Sequence, residues 1–246
     1  MSFACRLLTV LFLIDDVLEH MSFEEGAAYN DTLMPIARGE ALPNPSVPVE
    51  NIFYDLWNSM RAHDPEMTND MLEPVFELMR AQTDKIRTRK MGLGEYMEYR
   101  ERDIGKSILN ALMRFGMGIR LTPEEQDLVG PAESNCSRQL TAINDVWSFD
   151  KEVIAAKNLD KEGGALCNAV SILADEVGIS IPASKRMLYH IGREYELKHI
   201  QLAENILKHN DSPKIRTYLK GLEYQMSGNE AWSHFTHRYI ATNGNS

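Results

Sequence analysis

Apolar positions recur every three to four residues along most of this chain, and no sustained alternation of β-branched and polar residues interrupts them. The pattern predicts helices over about 4–28, 49–64, 66–89, 95–118, 132–155, 165–177, 183–209, 213–226 and 229–240. Pro74 is expected to kink the 66–89 element. Pro35, Pro43, Pro45 and Pro48, with Gly39, mark 35–48 as a loop. Thr122-Pro123-Glu124-Glu125 is a helix start, with proline in the first turn and a capping-box glutamate. Gly130-Pro131 is expected to interrupt the chain before 132–155, and Lys157 to Gly164 reads as a charged loop after it. No repeat, low-complexity segment or linker divides the sequence. The expectation is therefore an all-α single domain over residues 1–246, packed as a helical bundle.

Composition narrows the function classes. A chain of 246 residues is long enough to bury a substantial core. Its net charge of −10 argues against non-specific nucleic-acid binding, which needs a basic footprint. Cys5, Cys136 and Cys167 have neither metal-ligand spacing nor even pairing, and read as reduced intracellular thiols. Arg6 followed by Leu7 to Ile14 imitates a short signal peptide. Asp15-Asp16 ends that run with no small-residue cleavage site, and the run is too short to span a bilayer. A buried helix of a cytoplasmic protein is expected instead.

The most informative chemistry is in Asn144-Asp-Val-Trp-Ser148-Phe-Asp-Lys151-Glu152. In a helix, Asn144, Ser148 and Glu152 fall at i, i+4 and i+8 on one face. All three offer hard oxygen donors, which suit Mg²⁺ sharing its sphere with a phosphate. Leu140, Ile143, Val146 and Phe149 frame them with apolar positions. Asp15, Asp16 and Glu19 form a second acidic cluster, whose mutual repulsion calls for a cation. The alternative for that cluster is a solvated acidic helix end. Together the two clusters suggest two metal-binding faces looking at one diphosphate. Arg100 to Lys106 is the candidate basic anchor, because a metal-held diphosphate still needs cationic donors. A salt-bridged surface helix is its alternative. Lys151 pairs either with the diphosphate or with Glu152. Trp232 and Tyr239, seven residues apart, fall on one helical face beside Arg238, either as a pocket wall or as plain packing.

Asp15-Asp-Val-Leu-Glu19 and Asn144 to Glu152 resemble the aspartate-rich and Asn-Ser-Glu motifs of class I terpene cyclases. The flanking text extends the resemblance to fungal sesquiterpene cyclases over nearly the whole chain. Ile14 to Gly26, Ser59 to Asp64, Tyr96 to Asp103 and Gly221 to Glu230 carry it. The resemblance implies three Mg²⁺ ions, held by Asp15, Asp16 and Glu19 and by Asn144, Ser148 and Glu152. It implies diphosphate contacts from Arg100, Lys151, Arg238 and Tyr239, with Arg100 as the diphosphate sensor; Lys106 joins them as an expected diphosphate contact from the basic stretch. Arg100, Lys151 and Tyr239 are the expected catalytic residues, and Phe12 and Trp232 the aromatic walls. The implied substrate is farnesyl diphosphate, cyclised to a bicyclic hydrocarbon by way of germacrene A, aristolochene being the implied product. A homodimer is the implied alternative to a monomer.

Two departures from the family pattern stand out. Family members carry helices before the aspartate-rich motif, so the bundle is expected to lack its N-terminal helices. Leu78 also stands where relatives carry an aromatic ring. Three other readings compete with a bicyclisation: release of a different product such as germacrene A, a prenyl-chain elongating transferase, and a degenerate copy acting as a non-enzymatic helical module. The transferase should carry a second aspartate-rich motif, and the Asn-Ser-Glu pattern disfavours it.

Overall fold

The computed structural model describes residues 2–239. Among these, regular structure is entirely helical: α1 Ser2–Leu18, α2 Phe23–Arg38, α3 Pro48–His63, α4 Pro65–Asp70, α5 Leu72–Gln82, α6 Leu93–Asp103, α7 Lys106–Met117, α8 Pro123–Asn158, α9 Ala169–Val177, α10 Ile181–His209 and α11 Pro213–Phe235, with short 3-10 turns at Lys85–Thr88 and Glu162–Gly164. The all-α expectation holds, and its boundaries need six corrections.

The expected 4–28 helix is two helices. Ser22 caps α2 by accepting from the Glu25 amide at 3.1 Å, and Glu25 accepts from the Ser22 amide at 2.7 Å. This reciprocal box starts a new helix with its cap three residues after the acidic motif. α2 then continues through Pro35 and stops at Gly39, whose φ of +78° is the left-handed C-cap. The expected 66–89 helix breaks at Met71 rather than at Pro74, which sits in the first turn of α5, where its missing N–H costs nothing. The expected 95–118 helix breaks at Gly105, at φ +79°. A Cβ there would also come within 2.9 Å of Ile108.

Two breaks that were expected do not occur. α8 runs unbroken for 36 residues through Gly130-Pro131. α11 runs through Met226 to Asn229 and ends at Phe235, so Arg238 and Tyr239 lie in the turn that follows it. Ile240, the last position of the expected final helix, lies outside the described residues.

α8 is the axis of the molecule. Its buried Val129, Ala132, Cys136 and Leu140 pack on Ile206 of α10 and on Ile215, Tyr218, Leu219 and Leu222 of α11. Farther along, Phe149 packs with Tyr96 and Tyr99 of α6 and Val170 and Leu173 of α9. The remaining core joins α1, α2, α3, α5 and α7. Its centre is Phe53, Leu56, Trp57 and Met60, one fully buried stripe of α3 at i, i+3, i+4 and i+7. Between the α1 side and α8 lies a cavity of about 780 Å³.

Candidate active site

α1 and α8 present their oxygen-rich faces to this cavity. Asp15 and Asp16 from α1 and Glu19 just past its end line it, as do Asn144, Ser148, Lys151 and Glu152 from α8. One ligand oxygen from each α1 carboxylate lies within 4.8 Å of the others. Two cations hold this cluster together. Lys151 Nζ donates to Glu19 Oε1 at 2.6 Å and to Asp16 Oδ1 at 3.3 Å. Arg238 donates to Asp16 Oδ2 at 2.7 Å and to Asp15 Oδ2 at 2.8 Å, while Gln82 donates to Asp15 Oδ1 at 3.0 Å. Lys151 therefore pairs across the cavity with α1 rather than with Glu152 beside it.

Burial opposes ionisation of Asp16, yet Arg238 and Lys151 hold its carboxyl below the usual range. Three carboxylates against two cations leave one excess negative charge. A hard, multidentate oxygen set with surplus negative charge fits a divalent cation of the Mg²⁺ type.

On α8, the Ser148 hydroxyl donates to Glu152 Oε1 at 2.5 Å, and Asn168 donates to Glu152 Oε2 at 3.0 Å. Burial, reinforced by the Asp145 charge, pushes Glu152 above the usual carboxylate range despite Arg100, Ser148 and Asn168. A second cation beside Glu152 would relieve that cost. The donor sets on both helices thus suit the metal expected from the sequence.

Arg100 reaches this face from α6. Its guanidinium donates to Asn144 Oδ1 and to Asp145 Oδ1, both at 3.1 Å, and to Asp103. Asp103 also accepts from Arg87 at 3.0 Å. Burial opposes the charge on Asp103, but Arg87 and Arg100 keep its carboxyl below the ordinary value. Asp145, fully buried, further accepts from the Tyr96 hydroxyl at 2.5 Å and the Ala169 amide at 2.8 Å.

Tyr239 accepts from the Asn144 amide at 2.8 Å. Burial pushes its hydroxyl above the ordinary phenol value, so it stays protonated. Its own hydrogen is left for an oxygen in the cavity.

The apolar part of the cavity is walled by Leu8, Leu11, Phe12, Leu78, Ile108, Leu109 and Leu140, and by Trp232 from α11. Phe12 and Trp232 stack at 5.1 Å with 7° between their planes, and Tyr239 meets Trp232 edge-on at 5.4 Å. Arg238 sits 4.8 Å from the centre of the Phe12 ring. Leu13, Tyr224 and Trp232 line the cavity while remaining exposed, so its mouth opens to solvent.

The turn after α8 packs against the end of α1 beside the acidic cluster. Gly163 donates to the Met21 carbonyl at 3.0 Å, and a Cβ on Gly163 would lie 2.0 Å from the Leu18 carbonyl oxygen. Only glycine permits that approach. Glu162 accepts from the Phe23 amide at 3.1 Å, binding the same turn to the start of α2.

All but one of the expected site residues converge on the cavity. Lys106 does not: it pairs with Glu101 and approaches Ser134 Oγ at 3.4 Å, outside the cavity lining. The helix break at Gly105 turns Lys106 off the α6 face that carries Arg100. Asp150 of the same motif pairs at the surface with Lys185 at 2.9 Å. Sequence reasoning missed the roles of Gln82, Arg87, Tyr96 and Asn168. Only Asn168 carried a local signal, as a cap before the apolar run of α9.

Residues 6–195 match the family model described as terpene synthase family 2, C-terminal metal binding. The chain is 59% identical over 239 residues to a (+)-aristolochene synthase of Penicillium expansum, covering 97% of this chain and 72% of that protein. It is 56% identical over 238 residues to an aristolochene synthase of Aspergillus terreus, covering 96% of this chain and 74% of the relative. The crystal structure of aristolochene synthase from Penicillium roqueforti superposes with a TM-score of 0.80 at 53% identity, over 95% of this chain and 78% of that one. A germacradien-4-ol synthase from Streptomyces citricolor shares the fold at 16% identity, with a TM-score of 0.77.

Proposed function

The chain belongs to terpene synthase family 2, and from that premise we propose that it is a Mg²⁺-dependent class I sesquiterpene cyclase acting on farnesyl diphosphate. The observation that carries this reading is the meeting of two oxygen-rich helix faces and three cations at one end of an apolar cavity of about 780 Å³. A charged diphosphate fits the first half of that cavity and a prenyl chain the second.

Asp15, Asp16 and Glu19 would hold metal on one side and Asn144, Ser148 and Glu152 on the other, three ions in all. When bound, Mg²⁺ supplies Lewis-acid stabilisation of the charge on the departing diphosphate. Lys151 and Arg238 now share the α1 carboxylates, and diphosphate oxygens are their natural alternative partners. Arg100, held from two sides by Asp103 and Asp145, offers a preoriented guanidinium. Tyr239 donates its remaining hydrogen to the same anion. Together these donors stabilise the leaving group, and the allylic C–O bond breaks heterolytically.

Phe12 and Trp232 wall the space that holds the remaining carbocation; their negative quadrupoles would stabilise it once substrate parts the stack and draws Arg238 off Phe12. Leu11, Ile108, Leu109 and Leu140 fold the chain for ring closure. The Gly163 turn, packed on the end of α1, would limit water entry beside the acidic end once substrate and metal fill it. In this reading the first closure loses a proton and gives germacrene A. Reprotonation then gives a bicyclic cation, hydride and methyl shifts follow, and proton loss yields aristolochene, the product for which the Penicillium and Aspergillus relatives are named. Released diphosphate is the acid and base of these steps. Leu78 favours a second outcome, release of germacrene A, because the cavity wall there has no ring to stabilise the later cation.

Replacement of Asn144 or Glu152 by alanine tests the site. Each is expected to lower Mg²⁺-dependent turnover by on the order of 100-fold or more, read as hydrocarbon formed from farnesyl diphosphate. Full turnover in both variants would defeat the assignment.

A further inference from the structure

Asn168, which is fully buried, stands outside every expected motif yet touches the metal-facing side of α8. Its amide nitrogen donates to Glu152 Oε2 at 3.0 Å and to the Asp145 carbonyl at 3.1 Å. Its amide oxygen accepts from the Val170 amide at 2.8 Å, which caps α9. These three contacts fix which end of the side chain carries nitrogen. A flipped amide would set N–H against N–H at Val170 and oxygen against two oxygens on α8. The next residue continues the grip, since the Ala169 amide donates to Asp145 Oδ2 at 2.8 Å.

Glu152 is thus bound at both oxygens, by the Ser148 hydroxyl on one and Asn168 on the other. Ser148 is itself a proposed ligand, so its hydroxyl hydrogen is not a fixed restraint once its oxygen is engaged. Asn168 is the partner of Glu152 that has no other duty in the cavity; it does not line it.

We propose that Asn168 is a positioning residue for metal binding: its amide aims the Glu152 carboxylate and ties the α8 donor face to the start of α9. This rests on the reading of Asn144, Ser148 and Glu152 as a metal face. The role is separable from capping. Serine caps a helix about as well as asparagine but has no second N–H to give. Asn168→Ser therefore keeps the acceptor for Val170 and removes the donor to Glu152.

The test is thermal unfolding of wild type and Asn168→Ser in inorganic pyrophosphate, titrated with Mg²⁺. Wild type is expected to melt higher as Mg²⁺ rises. Asn168→Ser is expected to need about tenfold more Mg²⁺ for the same shift. A role confined to capping would lower the metal-free melting temperature and leave the Mg²⁺ midpoint in place, which would overturn the proposal. Should Asn168→Ser fail to fold, Asn168→Thr keeps a hydroxyl acceptor for the cap, adds no charge beside Glu152 and removes the same donor, and its midpoint decides. A wild type that shows no Mg²⁺-dependent shift would instead overturn the metal-site reading itself, and the positioning role with it.

Discussion

Single side chains set the strength of this site and, in the proposed reading, its product. Asp103 is the plainest case, because it lies between Arg87 and Arg100 with 2% of its side chain exposed. Asp103→Asn leaves two buried guanidinium groups without their shared anion and is expected to destabilise the fold by about 3–5 kcal/mol. Its pH dependence follows in sign. The folded carboxyl lies below its ordinary value of 3.8, so the ion pairs contribute their full stability above that pH. The contribution fades as pH falls through the lower folded value. Denaturant melts of wild type and Asp103→Asn should therefore converge as pH drops below about 4; a constant gap would count against the ion-pair account. In the proposed reading Leu78 acts on product instead. Leu78→Phe restores a ring to the cavity wall and is expected to raise the bicyclic share of hydrocarbons over germacrene A, a ratio read by gas chromatography. An unchanged ratio would remove Leu78 from the wall that governs the late cation.

Elements carry the geometry that no single residue supplies. α8 holds Asn144, Ser148 and Glu152 in register because it is continuous, and its burial against α10 and α11 outweighs the Gly130-Pro131 signal. Local propensity predicted a break there, and packing overrode it. The converse occurred at Gly105, where the periodicity of 95–118 concealed a left-handed turn that sends Lys106 away from the site. The acidic and Asn-Ser-Glu faces were legible in the sequence because i, i+4 spacing is a property of one helix. The contacts of Gln82, Arg87 and Asn168 were not, since each depends on how separate elements pack. The turn at Gly163 belongs to the same class. Gly163→Ala places a methyl 2.0 Å from the Leu18 carbonyl oxygen, so the turn must lift off α1. Farnesol is then expected to rise several-fold relative to hydrocarbon, as water reaches the cation. Equal ratios in mutant and wild type would show that this turn does not exclude water.

At the scale of the whole molecule, the bundle gathers residues more than 220 positions apart, Asp15 and Arg238, into one ion pair at 2.8 Å. It sets that charged end against an apolar cavity. Family and fold class were readable from motifs quoted along nearly the full sequence. No helix among the described residues is long and apolar enough to cross a membrane. In the proposed reading this cavity ionises and cyclises a prenyl diphosphate. The most direct test incubates the purified chain with farnesyl diphosphate, with and without Mg²⁺, and identifies extracted hydrocarbons by gas chromatography and mass spectrometry. The prediction is a sesquiterpene hydrocarbon that appears only with Mg²⁺, aristolochene or its monocyclic precursor germacrene A. Farnesol alone, or no product, from folded protein that binds Mg²⁺ and pyrophosphate would contradict it.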